Sequence, residues 1–345
     1  MARGLVLSID QGTTGSRAIL YDQNGRTVAH AYQEFRQYYP RPGWVEHDAL
    51  EILTSVHHVI QRARSRARVH DREIQAVGIT NQRETVVLWD RKTGKPLRRA
   101  IVWQDRRTDS MCRAMKKKGL EAFVQRRTGL LLDPYFSGTK LRWCFENDRW
   151  LKRKAQQGLL CFGTIDSWLL FHLTGGVHGT DFTNASRTLL FDLKRKRWDP
   201  ELCRLFRVPE VALPEAKPSN TVFGKTKGFR SLPDGIPICA LIGDQQAALY
   251  GQGCYERGES KNTYGTGCFM LLNLGPRLIL SRAGLLTTIA CDQRGNAVYA
   301  LEGSIFIAGA VVQWLRDELK IIQKSSETEK AVAGLKDTHG VYFVP

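Results

Sequence analysis

The sequence predicts an α/β protein made of two related domains. Short apolar runs typical of strands alternate along the chain with segments of helical periodicity. The length of 345 residues exceeds what one hydrophobic core usually supports. A hairpin pattern of strand, Gly/Thr-rich turn and strand occurs near the start of the chain and again at residues 261–272, which suggests a repeated unit. We therefore place the domain boundary near residue 251, with domains at 1–251 and 252–345.

The individual elements follow from apolar patterning and from turn and capping residues. Asn24-Gly25 is a favoured hairpin dipeptide, so the first strands should be antiparallel. Asp48, with Glu51 three residues later, has the pattern of a helix N-cap. We predict one helix over residues 49–68, a second that starts near residue 247 and a third that extends through residue 315. Predicted strands lie at residues 5–9, 16–21, 27–29, 75–80, 86–89, 236–241, 268–272 and 341–344.

Composition excludes several classes of protein. The net charge is +17, but the basic runs lack the aromatic platforms and motifs of nucleic-acid-binding proteins, so we expect no nucleic-acid partner. A positive field also suits a polyphosphate substrate. No apolar run reaches the roughly 20 residues of a membrane span, and no signal peptide is recognisable, so we expect a cytoplasmic protein without a membrane partner. The 8 Cys and 8 His show no metal-ligand spacing.

The two Gly/Thr hairpins are the candidate phosphate site. The Gly-Lys-Thr triplet at 224–226 lacks the preceding strand of a P-loop, and Met270 stands where a dinucleotide-binding loop needs Gly. In the hairpins, small residues would let backbone N–H groups approach phosphate oxygens, and Thr hydroxyls would add donors. Either hairpin alone fits a surface turn, but together they favour a phosphorylated ligand between the domains.

Three acidic residues near strand ends are candidates for chemistry: Asp10, Glu84 and Asp244. Ligands of open α/β sheets bind beyond the carboxyl ends of the strands, so we expect these acids to share a cleft. Arg83 beside Glu84 offers donors and an acceptor, which suits a polyol, although an exposed ion pair is the alternative. For Asp244 the pattern alone leaves a helix N-cap and a catalytic role equally open.

Six blocks of sequence carry a family resemblance. They are Gly-Trp-Val-Glu-His-Asp at 43–48, Asn-Gln-Arg-Glu-Thr at 81–85, Asp-Pro-Tyr-Phe-Ser-Gly-Thr-Lys at 133–140, Thr-Asn-Ala-Ser-Arg-Thr at 183–188, Gly-Asp-Gln-Gln at 243–246 and Asn-Thr-Tyr-Gly-Thr-Gly-Cys-Phe at 262–269. With these blocks the chain resembles the FGGY carbohydrate kinase family, in particular its members that phosphorylate glycerol. The resemblance implies two actin-like (ribonuclease H-like) domains with mixed sheets flanked by helices, and ATP and substrate in the cleft between them.

The resemblance also implies a reaction and a set of site residues. The reaction is in-line phosphoryl transfer from ATP to glycerol in the presence of Mg²⁺, and it gives sn-glycerol 3-phosphate. Asp244 would act as the general base. The implied glycerol contacts are Arg83, Glu84, Trp103, Tyr135, Asp244, Gln245 and Phe269. The implied ATP contacts are Thr13, Thr14, Arg17, Thr266, Gly309 and Gln313. Asp10 would interact with the magnesium ion through a water molecule.

Members of this family continue beyond the position of Pro345. We therefore expect a C-terminally truncated chain with an incomplete second domain and little kinase activity of its own. The alternatives are an inactive fragment or binding remnant, and a kinase of the same family for another polyol or a pentose. The sequence leaves the oligomeric state open, a homo-oligomer included.

Overall fold

The computed structural model describes residues 4–265 and 267–343. Its strands are Leu5–Gln11 (β1), Gly15–Tyr21 (β2), Thr27–Glu34 (β3), Glu46–His47 (β4), Ile74–Asn81 (β5), Val87–Asp90 (β6), Ala100–Ile101 (β7), Leu160–Gly163 (β8), Gly179–Asp181 (β9), Phe191–Asp192 (β10), Arg197–Trp198 (β11), Glu215–Lys217 (β12), Asn220–Lys225 (β13), Pro237–Gly243 (β14), Ser260–Tyr264 (β15), Cys268–Gly275 (β16), Leu286–Cys291 (β17) and Ala297–Ile305 (β18).

The α-helices lie mainly between the strands of the first 250 residues. They are Ala49–Ala67 (α1), Asp109–Lys117 (α2), Glu121–Thr128 (α3), Ser137–Asn147 (α4), Arg149–Gln156 (α5), Ile165–Thr174 (α6), Phe182–Ala185 (α7), Pro200–Leu205 (α8), Asp244–Gly251 (α9), Gly309–Asp317 (α10) and Glu327–Val332 (α11). This interleaving of helices with strands confirms the predicted α/β class.

A six-stranded mixed sheet organises the first part of the chain. Its strand order is β13-β14-β5-β1-β2-β3. The central strands β14, β5 and β1 are parallel to one another, and the outer pairs are antiparallel. Leu5, Leu7 and Ile9 of β1 are buried on one face, where α1 and α6 pack. Because the strands are parallel, their carboxyl ends meet at one edge of the sheet.

A second sheet contains four antiparallel strands in the order β15-β16-β18-β17. Helix α9 ends at Gly251, and this sheet begins at Ser260. Strands β15 and β16 form a hairpin in which Tyr264 pairs with Cys268. The hairpin predicted around residue 265 is therefore present, as is the one formed by β1 and β2.

Most of the predicted elements tested by the structure are correct. Helix α1 begins after Asp48, whose carboxylate accepts hydrogen bonds from the backbone N–H groups of Leu50 (2.8 Å) and Glu51 (3.3 Å). The predicted strand at 341–344 is wrong over residues 341–343, which form no strand. Val341 and Tyr342 are 72% and 84% exposed, and no strand within residues 4–265 and 267–343 pairs with them. Residue 344 lies outside the described residues.

Candidate active site

The candidate site lies where the three parallel strands end. Gln11 of β1 pairs with Asn81 of β5, and Asn81 pairs with Gly243 of β14. This register brings the loop after β5, which carries Arg83 and Glu84, beside the start of α9 at Asp244. The segments that carry the predicted acids Glu84 and Asp244 therefore meet because their strands end at the same level.

Arg83 is the centre of the site. Its side chain is 1% exposed, and its Nε lies 3.4 Å from Asp244 Oδ1 and 3.8 Å from Glu84 Oε1. Its Nη2 donates a hydrogen bond to the hydroxyl of Tyr135 at 3.2 Å. The alternative of an exposed Arg83–Glu84 ion pair is therefore wrong, since both side chains are buried.

Glu84 lies in a backbone conformation that few residues adopt. Its φ is +61°, the left-handed region in which a side chain other than Gly is uncommon. Ser137 Oγ donates to the Glu84 carbonyl oxygen at 2.9 Å, and Arg187 Nε donates to Glu84 Oε1 at 2.6 Å. Burial raises the pKa of Glu84, and the charges of Arg83 and Arg187 oppose that rise. The surrounding contacts thus hold a strained residue with its carboxylate turned inward.

Asp244 is the first residue of α9, and Gly243 occupies the N-cap position. The N-cap alternative is therefore not what the structure contains. The Asp244 side chain is 35% exposed, and its Oδ1 accepts a 2.8 Å hydrogen bond from the backbone N–H of Gln245. Burial raises the pKa of Asp244, while Arg83 acts in the opposite direction. A carboxylate with a raised pKa is a stronger base than an ordinary aspartate.

Aromatic side chains form an apolar wall beside these charges. The ring centroid of Trp103 lies 5.7 Å from that of Tyr135 and 6.0 Å from that of Phe269, both edge-on. Trp103 Nε1 also donates to Thr13 Oγ1 at 2.9 Å. The wall therefore connects the acidic loops to the turn between β1 and β2.

These groups line one cavity of about 370 Å³. Its lining residues are Thr13, Thr14, Gln37, Tyr39, Arg83, Glu84, Trp103, Gln104, Tyr135, Asp244, Gln245, Thr263, Gly265, Gly267, Phe269 and Gln313. All seven predicted glycerol-contact residues are among them. Two larger hollows, of about 540 and 630 Å³, share Tyr135 with it, but their walls are mainly apolar.

Of the predicted nucleotide and magnesium residues, Thr13, Thr14 and Gln313 line this cavity, whereas Asp10, Arg17 and Gly309 do not. Asp10 pairs with Arg17 across the β1–β2 hairpin, and burial, followed by the Asp244 carboxylate, raises the pKa of Asp10. The Gly309 N–H donates to the carbonyl of Gly265 at 3.0 Å. Thr266 lies outside the described residues.

Four polar residues of the site were not predicted: Arg187, Gln246, Lys261 and Glu302. Gln246 Oε1 accepts from Arg83 Nη1 at 3.1 Å. Lys261 Nζ donates to the side-chain oxygens of Gln245 and Thr263, the latter at 2.9 Å. Arg187 and Gln246 stand inside the blocks that carried the family resemblance, whereas a charged residue within an apolar strand was the only signal for Glu302.

The described ranges contain neither a metal-binding cluster nor a membrane-spanning helix. Residues 4–265 and 267–343 hold no group of three or more His, Cys, Asp or Glu side chains arranged to bind a metal ion. In the same ranges no helix has the length and apolar character to cross a membrane.

Comparisons with known proteins show the family of this chain. The family model described as the FGGY family of carbohydrate kinases, N-terminal domain, matches residues 5–251, and the corresponding C-terminal domain matches residues 260–345. The glycerol kinase of Petrotoga mobilis is 53% identical over 341 residues, which are 99% of this chain and 68% of that protein. The glycerol kinase of Carboxydothermus hydrogenoformans is 53% identical over 346 residues, covering 100% of this chain and 69% of that protein.

Solved structures show the same likeness. Plasmodium falciparum glycerol kinase with ADP superposes with a TM-score of 0.90 at 39% identity, over 100% of this chain and 69% of that one. A xylulose kinase from Lactobacillus acidophilus, at 22% identity, shares the fold with a TM-score of 0.85, over 95% of this chain and 65% of that one. These matches confirm the predicted actin-like fold with mixed sheets flanked by helices. The chain belongs to the FGGY family of carbohydrate kinases.

Proposed function

We propose that this chain transfers the γ-phosphoryl group of ATP to a terminal hydroxyl of glycerol, giving sn-glycerol 3-phosphate. The observation that carries the proposal is the Asp244 carboxylate, which is partly exposed and faces a cavity shared with Arg83 and Glu84. Relatives named glycerol kinase, 53% identical over nearly the whole chain, support the choice of acceptor. We also propose that residues 1–251 and 252–345 are the two domains that contribute to this site.

The cavity has the chemistry that a small triol requires. Arg83 offers N–H donors, whereas the carboxylates of Glu84 and Asp244 accept hydrogen bonds from hydroxyl groups. Trp103 and Phe269 would cover the carbon backbone on the other side. Hydroxyl groups lose water on entering such a site, so each of them needs a partner there. We assign substrate contact to these five residues together with Tyr135 and Gln245.

Asp244 would act as the general base. As the bond from the acceptor oxygen to phosphorus forms, the carboxylate takes the hydroxyl proton, and the bond from phosphorus to the bridging oxygen of ADP breaks. The raised pKa of Asp244 favours proton acceptance, and neighbouring Arg83 helps to keep the carboxylate ionised before the reaction. Proximity and charge neutralisation supply most of the remaining acceleration in phosphoryl transfer.

The nucleotide would lie against the two hairpins. The proposed ATP contacts are Thr13, Thr14, Arg17, Thr266, Gly309 and Gln313. Asp10 fits a magnesium role, because its partly buried carboxylate lies close enough to that of Asp244 for the second charge to raise its pKa. Mg²⁺ prefers such oxygen groups while keeping several waters. Mg²⁺, when bound with ATP, would neutralise charge on the phosphates. Asp10 would interact with it through water.

The experiment described below also tests two other functions. A pentose or a longer polyol carries more hydroxyl groups than glycerol, and each of them would need its own hydrogen-bond partner in the site. A binding protein without turnover would hold glycerol but release no ADP. The chain spans 68–69% of the glycerol kinases named above, so binding and turnover are best measured separately.

The experiment uses the 345-residue chain and its Asp244→Asn variant. Glycerol binding is measured by calorimetry, and ADP release is measured with glycerol, xylulose and ribitol as acceptors. Whatever glycerol-dependent ADP release the unchanged chain shows should fall by about 10²–10⁴-fold in the variant. Asp71→Asn is the control, because Asp71 is exposed and precedes β5, at the opposite end of the strand from the site. Glycerol binding without turnover would identify the binding alternative, and preference for xylulose or ribitol would reject glycerol as the acceptor.

A further inference from the structure

Glu302 belongs to β18 of the second sheet, yet its carboxylate reaches the site at the edge of the first sheet. The side chain is fully buried. Its Oε2 accepts from Arg83 Nη1 at 2.6 Å, and its Oε1 accepts from Arg83 Nη2 at 3.0 Å. The same Oε1 accepts from Arg187 Nη2 at 2.8 Å. One carboxylate therefore binds both arginines that adjoin the cavity.

The two-point contact fixes the orientation of Arg83. A guanidinium group is planar, so hydrogen bonds to both of its Nη atoms also determine where its Nε points. In this orientation Nε faces Asp244 Oδ1 at 3.4 Å and Glu84 Oε1 at 3.8 Å. A carboxylate held further away would let the guanidinium rotate, and its donors would no longer meet an acceptor hydroxyl in the same place.

Glu302 reaches Glu84 as well, through Arg187. Arg187 Nη2 binds Glu302, and Arg187 Nε donates to Glu84 Oε1 at 2.6 Å. The Arg187 side chain is fully buried, and its guanidinium group is planar, so its two contacts are coupled. The position of the Glu84 carboxylate thus depends on a residue more than 200 positions later in the chain.

The four buried charges balance, with two arginines against two glutamates. Burial alone would raise the pKa of Glu302, but Arg187 and Arg83 outweigh burial and lower it to about 2. Glu302 is therefore ionised at neutral pH. A purely electrostatic role for it would be to neutralise Arg83 and Arg187, because an unpaired buried charge is costly.

We propose that Glu302 is a positioning residue of the acceptor site, which orients Arg83 directly and Glu84 through Arg187. The inference rests on the proposed glycerol phosphorylation. It means that the acceptor site is complete only when β18 is in place, so the second sheet contributes to glycerol binding as well as to nucleotide binding. Glu302 itself does not line the cavity that we assign to the substrate.

Two substitutions separate positioning from charge neutralisation. Glu302→Asp keeps the charge but withdraws the carboxylate by one methylene, so neutralisation is retained and the two-point contact is lost. Glu302→Gln keeps the shape but removes the charge. Tyr299→Phe is the control on the same strand, since it removes a buried 3.1 Å hydrogen bond to the Leu193 carbonyl.

The test is calorimetric binding of glycerol and of ATP to the full chain and its variants, with thermal unfolding to establish that each variant is folded. We expect glycerol affinity to fall by about tenfold or more in both Glu302 variants, with ATP affinity changed by less than about threefold. Where turnover is measurable, KM for glycerol should rise more than kcat falls. Tyr299→Phe should bind glycerol within about twofold of the unchanged protein.

The outcomes are distinguishable. If glycerol affinity is unchanged in Glu302→Asp and falls only in Glu302→Gln, Glu302 acts by neutralising charge alone, and the inference is overturned. Equal losses of affinity for glycerol and for ATP would indicate general damage to the structure and would overturn the inference too. If Glu302→Gln does not fold, Glu302→Asp decides alone. Failure of the unchanged chain to bind glycerol would instead overturn the proposed function.

Discussion

The indole Nε1 of Trp103 donates a 2.9 Å hydrogen bond to the hydroxyl oxygen of Thr13. Trp103 belongs to the aromatic wall of the acceptor cavity, and Thr13 belongs to the turn between β1 and β2. The bond therefore joins the region proposed for glycerol to the region proposed for ATP. A hydroxyl that accepts from Trp103 has its own proton free to donate to another acceptor, such as a phosphate oxygen.

The first prediction concerns this hydrogen bond. Trp103→Phe keeps an aromatic wall and removes the N–H, so KM for ATP should rise about two- to fivefold while KM for glycerol changes less. Trp103→Ala should raise KM for glycerol further, because the wall is lost. Steady-state kinetics with each substrate varied in turn would measure both effects. The control is Trp198→Phe, which removes a 2.7 Å bond from an indole to the Pro214 carbonyl away from the cavity. An unchanged KM for ATP in Trp103→Phe would contradict the prediction.

The second prediction uses two glycines of the second hairpin. A Cβ added at Gly267 would lie 2.5 Å from the carbonyl oxygen of Ile305 and 2.9 Å from that of Phe306, and backbone cannot easily move away. A Cβ at Gly265 would meet nothing closer than 3.8 Å. Gly267→Ala should therefore weaken ATP binding by about tenfold or more, and Gly265→Ala by at most about threefold. Titration with a fluorescent ATP analogue would compare the two variants. Equal losses of affinity would mean that crowding at Gly267 does not determine ATP binding.

Part of the site could be predicted from the sequence because it depends on local order. Asp10 lies at the carboxyl end of β1, whereas Arg83 and Asp244 follow β5 and β14, and the carboxyl ends of parallel strands necessarily meet. The cap at Asp48 is equally local, and the structure contains it. Such features require only that each strand or helix forms and that the parallel strands pair in register.

Other parts depend on contacts that no local pattern specifies. Glu302 contacts Arg83 across 219 positions, and its place in an apolar strand says nothing about its partner. Residues 341–343 show the opposite error, since their apolar pattern predicts a strand, but among the described residues they pair with no strand. A strand is stabilised by its neighbour, so patterning alone cannot establish one.

The third prediction concerns Lys140, which is fully buried in α4. Its Nζ donates to the carbonyl oxygens of Pro134 and Tyr135, both at 2.6 Å, and of Phe136 at 3.3 Å. Burial lowers the pKa of Lys140 to about 8. Lys140→Met should leave these carbonyls without a donor, lower the free energy of unfolding by about 2–4 kcal/mol and loosen the loop that carries Tyr135. Glycerol affinity should fall as well.

Urea denaturation and glycerol titration would measure these two effects. The control is Lys116→Met, because Lys116 is 42% exposed and makes a single 3.1 Å ion pair with Glu121. An exposed pair of this kind is worth about 1 kcal/mol or less. If the free energy of unfolding and the glycerol affinity fall by similar amounts in the two variants, the three carbonyl contacts of Lys140 contribute little to either.

The last prediction is a pH dependence that arises at Asp166, a fully buried residue of α6. Burial, followed by the charge of Asp181, raises the pKa of Asp166 to about 7, although hydroxyl groups of Thr164 and Thr180 donate to it. In the unfolded chain an aspartate titrates near its ordinary value of about 3.9. Between these values the folded state binds a proton that the unfolded state does not, so this group adds stability as the pH falls from 7 toward 4.

Asp166→Asn removes this contribution because an amide does not titrate. The free energy of unfolding of the unchanged protein, minus that of the variant, should therefore increase by about 2–3 kcal/mol as the pH falls from 8 to 5. Urea denaturation at four or five pH values would measure the difference, and using the difference cancels titrations that both proteins share. Asp71→Asn, at an exposed position, should show a smaller dependence. A difference that stays constant, or that shrinks as the pH falls, would mean that Asp166 is ionised in the folded protein throughout this range.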